Sequence, residues 1–449
     1  MSSLQSKSLW AKRLCLVAVT VLATLGVATS LPAQAENNGV ARTPAMGWSS
    51  WSFIRHSPTA ADIDAQADAM KSSGLSAHGF VYVNVDDFWM ACNGNGPEVD
   101  GNGRWVADTK KFPGGIKAVA DHVHADGLKF GLYVTPGIAQ NAVLANSPIA
   151  GTSYHAKDIA KTSVSEKNYN CKHMYGIDYG KPGAQAFIDS WAEEFASWGV
   201  DYLKIDGVGS SDIPDVTAWS SALRNSGRAI DFALSNNLPI ANASTWQQNA
   251  NSWRTSGDIE CYCGSGGASY PLTNWSHVSS RFNQAAQWQP YAQPGAWNDL
   301  DSTEIGNGSN DGISSDQRRS MLTLWSMASA PLLLGTDLTH LDATDKAMLT
   351  NDSVLGVDQD GVAAKRIVNS GNDEVFSKKE SSGAVVIALF NTGTSGSATV
   401  SVSLKTAGIS SGKATITDLW AQKSGGTVSG TYSATLRPGE TRLIRAVAA

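Results

Sequence analysis

Short apolar runs alternate with longer segments of helical periodicity between about residues 40 and 340. The runs have the length of buried strands and predict eight of them, at 45–48, 80–85, 128–134, 200–205, 229–234, 251–253, 295–297 and 331–334. Helices are plainest at 58–73, with Thr59 as the expected N-cap, and at 181–198, with Pro182 in the first turn. The alternation predicts an α/β fold, a (β/α)8 TIM barrel over residues 40–365, although a doubly wound sheet gives a similar pattern.

The pattern changes at about residue 366, where helical periodicity disappears and Ser, Thr, Gly and Val dominate. Alternating runs separated by turn clusters predict strands at 374–376, 384–391, 398–404, 414–419, 430–436 and 441–446. We expect a C-terminal antiparallel β-sandwich domain over residues 366–449. Few of its residues suit catalysis, so its expected role is to pack against the barrel.

The first 35 residues have the pattern of an export signal. Lys12 and Arg13 precede an apolar run at 14–27, and small residues around Pro32 lead to a cleavage site after Ala35. The run is short for a transmembrane span, which favours a cleaved signal peptide over a retained membrane anchor. We therefore expect a secreted protein, extracellular or periplasmic, without membrane contact once the signal is removed.

Composition and charge limit the classes of molecule that the chain is expected to bind. Hydrophobic residues make up 42% of the 449 residues and charged residues 16%, which suits a folded chain with a large core. The formal net charge is −6 without a basic run, which argues against nucleic acid and anionic membranes as partners. The Gly-rich stretch 264–267 lacks the Lys-Ser/Thr of a phosphate-binding loop, and no other nucleotide, metal or flavin motif is evident, so we expect no cofactor. The sequence carries no indication of oligomeric state.

Four cysteines follow the signal: Cys92, Cys171, Cys261 and Cys263. In an exported protein an even number predicts disulfides, and three pairings are open. Positions 261 and 263 are too close for an easy bridge within one extended strand. No CxxC pair or HxxxH motif accompanies these cysteines, which argues against a zinc site.

Acidic, basic and aromatic residues recur where the predicted strands end, which is where TIM barrels carry their active residues. In strand order they are Trp48 and Trp51; Asp86 and Asp87; Tyr133; Lys204 and Asp206; Asn236; Arg254 and Asp258; Asp299 and Asp301. Carboxylates bind paired hydroxyls and Trp rings stack on sugars, so this rim predicts a carbohydrate-binding pocket. Two of its carboxylates could hydrolyse a glycoside, one as nucleophile or base and one as acid.

Six segments carry motifs in a fixed order: PAMGWSSW at 44–51, YVNVDDFWM at 82–90, DYLKID at 201–206, WRTSGDI at 253–259, WNDLD at 297–301 and LWSMASAP at 324–331. Together they resemble glycoside hydrolase family 27, the α-galactosidases and α-N-acetylgalactosaminidases. The resemblance covers about residues 40–365 and is specific as a set, although each motif alone is weak.

The resemblance implies a retaining two-step mechanism that cleaves terminal α-D-galactosyl residues from oligo- and polysaccharides. Asp206 is then the nucleophile, and Asp258 is the acid that becomes the base. Lys204 and Arg254 would hydrogen-bond sugar hydroxyls and help keep nearby carboxylates ionised.

Other roles follow from the same resemblance. Asp86 and Asp87 would hold the hydroxyls at C4 and C6, which favours galactose with its axial O4. Trp48 would form a pocket wall, Tyr133 would contact the sugar, and Asp299 and Asp301 lie near the site with less defined roles. Asn236 falls in the segment that would contact the C2 substituent.

The chain departs from the family pattern at two points that bear on the pocket. Val208 stands where a cysteine is usual, so Cys171 would pair elsewhere or stay free. Asn236 stands in a segment where α-galactosidases carry Glu, and it matches neither the galactosidase nor the acetylgalactosaminidase pattern. Alternatives within the family are a β-L-arabinopyranosidase, an isomaltodextranase and an α-N-acetylgalactosaminidase. An inactive carbohydrate-binding barrel is the alternative of another class, against which the presence of both Asp206 and Asp258 argues.

Overall fold

A parallel sheet of eight strands forms the first part of the computed structural model, which describes residues 37–261 and 270–449. The strands are β1 (Met46–Ser49), β2 (Tyr82–Asn84), β3 (Lys129–Val134), β4 (Tyr202–Ile205), β5 (Asp231–Leu234), β6 (Ser252–Arg254), β7 (Trp297–Asp299) and β8 (Leu332–Leu334). Their spatial order is β7-β6-β5-β4-β3-β2-β1-β8. A parallel bridge between Thr303 and Leu334 joins the two edges, so the sheet closes into the predicted TIM barrel.

Helices alternate with these strands and surround the barrel. They are α1 (Ala60–Ser72), α2 (Gly115–Ala125), α3 (Gln140–Ala145), α4 (Ala156–Ile159), α5 (Ala184–Trp198), α6 (Ile213–Asn225), α7 (Ala243–Asn249), α8 (Trp275–Ser279), α9 (Arg281–Trp288), α10 (Ser315–Ala328), α11 (Ala343–Leu349) and α12 (Asp352–Asp358). Short 3₁₀ turns lie at Leu75–His78, Ser210–Asp212, Ile240–Asn242, Gln289–Tyr291, Gly308–Asp311 and Leu338–His340. No helix in the described ranges is long and apolar enough to cross a membrane.

The two plainest helices begin for different reasons. Thr59 caps α1 as expected, because its hydroxyl accepts from the Asp62 N–H while the Asp62 side chain accepts from the Thr59 N–H. The prediction for α5 was three residues too long, because the helix begins after Gly183. Gly183 has φ 94°, a left-handed conformation that glycine tolerates, and it leaves Pro182 outside the first turn.

The C-terminal part is an antiparallel β-sandwich domain. Its strands are β9 (Lys365–Ser370), β10 (Asp373–Lys379), β11 (Val385–Asn391), β12 (Ala398–Ser403), β13 (Lys413–Asp418), β14 (Lys423–Ser429), β15 (Thr431–Leu436) and β16 (Thr441–Ala448). Six form one sheet in the order β9-β10-β11-β16-β13-β14, and β12 pairs with β15. The sequence analysis missed β9 and β14, because none of the residues in these edge strands is fully buried and neither strand carries apolar alternation.

Apolar contacts join the sandwich to the barrel. Phe282 of α9 meets Phe390 edge-on, with ring centroids 4.9 Å apart, and Phe376 packs against both rings. The Trp275 indole also donates to the carbonyl of Thr392. The barrel core therefore continues into one face of the sandwich, as expected for a domain that packs against the barrel.

A long connection over residues 135–183 links β3 to α5, and we call it the β3–α5 connection. It contains α3, α4 and a small antiparallel sheet of Ile138–Ala139, Ala160–Glu166 and Met174–Ile177. A disulfide between Cys92 and Cys171 ties it to the hairpin of Cys92–Asn93 and Gly96–Pro97. This pairing is one of the expected alternatives, and it gives Cys171 a partner other than the one usual in the family.

Several expectations fall outside the described residues. The signal peptide at 1–35, Cys263 and the Gly-rich stretch 264–267 all lie in the ranges 1–36 and 262–269. Cys261 is described and is disulfide-bonded.

Candidate active site

A pocket with a volume of about 920 Å³ opens at the carboxyl ends of the barrel strands. Parallel strands bring their C-terminal residues to one edge, so residues that are far apart in sequence meet there. Nine residues were predicted to take part in catalysis or sugar binding, namely Trp48 and eight others. Those eight all line this pocket: Asp86, Asp87, Tyr133, Lys204, Asp206, Asn236, Arg254 and Asp258. Asp299 and Asp301 line it as well.

Trp48 is the exception, and the expectation that it forms a pocket wall is wrong. It is fully buried, and its indole N–H donates to the carbonyl of Thr336, 2.7 Å away. The aromatic residue that lines the pocket from this rim is Trp51, which follows the end of β1. Both tryptophans were visible in the motif, but only the turn after β1 decides which ring faces the pocket.

A buried ion pair organises the side of the pocket formed by β2 and β4. The Lys204 Nζ lies 2.8 Å from the Asp86 Oδ2, and Asp206 is the residue after β4. Burial lowers the pKa of Lys204, but the negative charges of Asp86 and Asp206 outweigh burial and hold it above its ordinary value. Lys204 therefore stays positively charged between the two carboxylates.

Asp87 is the most deeply buried acid on the same side. Its oxygens accept from the backbone N–H groups of Phe88 at 2.7 Å and Asn170 at 3.1 Å. Burial raises the pKa of Asp87 to about 7, with a smaller contribution from the charge of Asp86. Asp87 can thus both accept and, when protonated, donate a hydrogen bond to a hydroxyl near neutral pH.

Arg254 organises the opposite side of the pocket. Its guanidinium lies 2.7 Å from the Asp258 Oδ1 and 2.8 Å from the Asp301 Oδ1. The Asp258 side chain is 40% exposed, whereas Arg254 and Asp301 are each only 7% exposed. Asp258 is therefore the carboxylate on this side that an incoming ligand and water can reach.

Glu260 is a carboxylate that the sequence analysis did not single out. It is buried, lines the pocket and accepts a hydrogen bond from Ser52 at 3.1 Å. Burial raises its pKa well above the ordinary value, and the nearby charges of Asp301 and Asp258 raise it further. Its position two residues after Asp258 was the available signal.

Among the residues that the structure describes, two groups of side chains have the spacing of metal ligands. Oxygens of Asp258, Glu260 and Asp301 lie within 4.8 Å of one another, but Arg254 already places its positive charge against two of them. The second group, Asp68, His122 and Asp126, belongs to α1 and the end of α2 and lines no part of the pocket.

Backbone conformations at the rim are unusual. Phe88, Asn236 and Asp301 have φ values of 72°, 125° and 86°, although none is a glycine. Each follows the end of a barrel strand and costs about 1–3 kcal/mol of strain. Strained backbone of this kind clusters at functional sites, and the residues before Phe88 and Asn236, which are Asp87 and Ser235, line the pocket.

Comparisons with known proteins agree with this geometry. Residues 43–172 and 169–360 match the family described as alpha galactosidase A, and residues 370–446 match the alpha galactosidase C-terminal beta sandwich domain. Alpha-galactosidase 2 of Arabidopsis thaliana is 34% identical over 409 residues, covering 90% of this chain and 89% of the relative.

Solved structures give the same result. A family 27 β-L-arabinopyranosidase of Geobacillus stearothermophilus has a TM-score of 0.82 at 31% identity, covering 91% of this chain and 97% of that one. α-Galactosidase I of Mortierella vinacea has a TM-score of 0.72 at 29% identity, covering 92% and 99%. The chain belongs to the α-galactosidase family, glycoside hydrolase family 27.

Proposed function

We propose that this protein is a retaining α-galactosidase that removes terminal α-D-galactosyl residues, with Asp206 as nucleophile and Asp258 as general acid/base. One observation carries the proposal: two carboxylates from different strand ends, Asp206 after β4 and Asp258 two strands further round the barrel after β6, line the same pocket. Retaining hydrolysis needs such a pair, one for each face of the anomeric carbon.

The reaction follows from their surroundings. An Asp206 oxygen attacks the anomeric carbon as the glycosidic C–O bond breaks, and Asp258 gives its proton to the leaving oxygen. Asp258, now ionised beside Arg254, then takes a proton from water, whose oxygen displaces Asp206 from the covalent ester. The exposure of Asp258 suits both its contact with the leaving group and the entry of water.

The remaining pocket residues hold the sugar. Asp86 and Asp87 accept hydrogen bonds from the hydroxyls at C4 and C6 of the sugar. Lys204 donates hydrogen bonds both to Asp86 and to the sugar. Tyr133 and Trp51 supply apolar surface for the C–H faces of the sugar. Asn236 faces the C2 side and replaces the carboxylate expected there, which makes it the main determinant of tolerance at C2.

A β-L-arabinopyranosidase is the second candidate, because the Geobacillus stearothermophilus structure named for that activity matches with a TM-score of 0.82. β-L-Arabinopyranose has the ring hydroxyls of galactose but lacks its C6 group. The retained pair Asp86 and Asp87 favours a substrate with a C6 hydroxyl.

The test is a panel of p-nitrophenyl glycosides with the mature protein: α-D-galactopyranoside, β-L-arabinopyranoside and α-N-acetylgalactosaminide, with an α-1,6-glucan alongside. We expect the galactoside to give the highest kcat/KM, and Asp206→Ala to abolish it. A higher kcat/KM on another glycoside of the panel would change the proposed substrate but leave the proposed two-step mechanism in place. Binding of sugars without hydrolysis of any member would support the carbohydrate-binding alternative and refute the enzyme.

We further propose that residues 1–35 are removed during export, leaving a barrel over 40–365 and a sandwich over 366–449. The basic residues, apolar run and small residues before Ala35 support this proposal. N-terminal sequencing of the protein recovered outside the cytoplasm should begin at Glu36. Recovery of an uncleaved chain in the membrane fraction would contradict it.

A further inference from the structure

The pocket is larger than one sugar requires. Its volume of about 920 Å³ lies near the upper end of the roughly 300–1,000 Å³ of sites for drug-sized ligands, which are larger than a single hexose. The residues proposed to hold the cleaved sugar come from the ends of β1 to β6. About a third of the lining residues come instead from the β3–α5 connection.

This additional wall is firmly anchored. The Cys92–Cys171 disulfide holds the connection to the hairpin after β2, and the Asn170 N–H donates to Asp87. The Asn168 side chain accepts from the Cys171 N–H at 2.7 Å. The wall is thus fixed beside the residues proposed to hold C4 and C6.

The chemistry of the wall suits a pyranose. Tyr169 is 53% exposed, lines the pocket and meets Trp51 with ring centroids 5.7 Å apart, so two aromatic rings stand together at the mouth. Asn168 is only 4% exposed and lines the pocket, yet its Nδ2 has no hydrogen-bond partner within the described part of the chain. The buried Thr135 also lines the pocket, and its hydroxyl has no hydrogen-bond partner among the described residues either. Rings for stacking and unpaired polar groups are what a sugar subsite offers.

Barrel topology decides which side of the cleaved bond this wall faces. In the closed ring of eight strands, β2 and β6 lie four positions apart, so the connection beside Asp87 stands across the pocket from Asp258. Asp258 marks the side of the leaving group, because it must protonate that oxygen. The wall therefore faces the far end of the sugar that is transferred.

We propose that the β3–α5 connection forms a second subsite, which binds a pyranose attached to a hydroxyl of the cleaved galactosyl unit. This inference rests on the proposed function. It means that the protein accepts substituted galactosyl units and releases a disaccharide, whereas a pocket closed at this point would accept only an unsubstituted terminal residue.

The experiment compares p-nitrophenyl α-D-galactopyranoside with its α-1,3-, α-1,4- and α-1,6-glucosylated derivatives. An outer glucose is used because it is not itself an α-galactoside. We expect intact disaccharide, identified by mass spectrometry, to be released from at least one derivative. Tyr169→Ala should lower kcat/KM on that derivative about fivefold to tenfold, the value of one lost stacking contact, and change the simple galactoside less than twofold.

Two control variants separate stacking from folding. Tyr169→Phe keeps the ring and should keep the activity, while Tyr154→Ala removes an exposed ring of the same connection that does not line the pocket. The inference is overturned if no derivative yields disaccharide, or if Tyr169→Ala lowers both activities equally. Cleavage of the simple galactoside alone would support the proposed function and refute the second subsite. No cleavage of any substrate would refute both the function and the subsite.

Discussion

Asp206 and Asp258 face different positive charges across one pocket. Lys204, held by Asp86, serves the side of Asp206, whereas Arg254 contacts Asp258 directly at 2.7 Å. The half-exposed Asp258 can reach solvent, which an acid that later activates water must do. At the residue scale the proposed division of labour therefore follows from burial and charge pairing.

The roles of Asp206 as nucleophile and Asp258 as acid/base can be tested with azide, because the anomeric configuration of the azide product shows which carboxylate was removed. Asp206→Gly should lose activity by about 10⁴-fold or more, and added azide, occupying the vacated nucleophile site, should yield the β-galactosyl azide. Asp258→Gly should instead give the α-galactosyl azide, because azide attacks the covalent intermediate from the opposite face. The two anomers are distinguished by NMR. Exchanged anomers would exchange the two roles, and failure of both variants to respond would contradict the two-step mechanism.

The β3–α5 connection is the element that most distinguishes this pocket from a bare barrel rim. It brings Glu166, Asn168 and Tyr169 to the mouth, and a single disulfide anchors it to the neighbouring rim. Burial raises the pKa of Glu166 to about 7, so charge at this wall changes near neutral pH. The element is thus both structural and part of the pocket.

Removal of the disulfide should loosen the element without unfolding the barrel. The double variant Cys92→Ser/Cys171→Ser opens a loop of sequence separation 79, and we expect the free energy of unfolding to fall by about 2–4 kcal/mol. Because Asn170 donates to Asp87, KM should rise severalfold with a smaller change in kcat. Chemical denaturation and steady-state kinetics measure the two effects. An unchanged KM would show that the connection is held without the bridge.

At the scale of the whole molecule, barrel and sandwich share a core. Phe390 is fully buried against Phe282 of the barrel, so the sandwich covers apolar surface that a lone barrel would expose to water. The two parts should therefore unfold together.

Phe390→Ala tests this coupling. Loss of the ring leaves a cavity at the interface and should cost about 3–5 kcal/mol, lowering the Tm of a single calorimetric transition. Val447→Ala, an exposed position in the same domain, should leave the Tm within about 1 °C. Two separate transitions, with only one shifted, would contradict a shared core.

A buried acid at the base of the barrel makes stability depend on pH. Burial raises the pKa of Asp231 to about 7, and the positive charge of Lys129 opposes this only in part. The folded state holds the proton more tightly than the unfolded state, so stability is highest below about pH 4 for this group and falls as pH rises towards 7. Each pKa unit corresponds to about 1.4 kcal/mol, so a shift from 3.8 to about 7 gives a total loss of about 4 kcal/mol.

Asp231→Asn should remove this loss. Denaturation at pH 5 and pH 8 should show a smaller fall in unfolding free energy for the variant than for the wild type, by about 2–3 kcal/mol. Asp121→Asn, an exposed carboxylate, should show the same fall as the wild type. Equal pH dependence in Asp231→Asn would show that Asp231 is ionised throughout.

Much of the fold could be read from local patterns. All eight barrel strands are near their predicted positions, because buried parallel strands are short continuous apolar runs. The edge strands β9 and β14 were missed, because an exposed strand has no apolar signature. Trp48 was wrongly predicted to face the pocket. Side chains alternate between the two faces of a strand, so a shift of one residue reverses the direction of a side chain, and residue type alone does not specify the turn after β1.

The sequence by itself determined the alternation of elements, the family and the residues able to carry the chemistry, because these depend on residue type and spacing. Tertiary structure alone decided that Trp51 and not Trp48 faces the pocket, that Cys171 pairs with Cys92 and that Arg254 bridges Asp258 and Asp301. It also decided that residues of the β3–α5 connection line the pocket. The pairs Cys92–Cys171 and Arg254–Asp301 join residues that are tens of positions apart, which only the folded chain brings together, and the direction of Trp51 depends on the backbone path after β1.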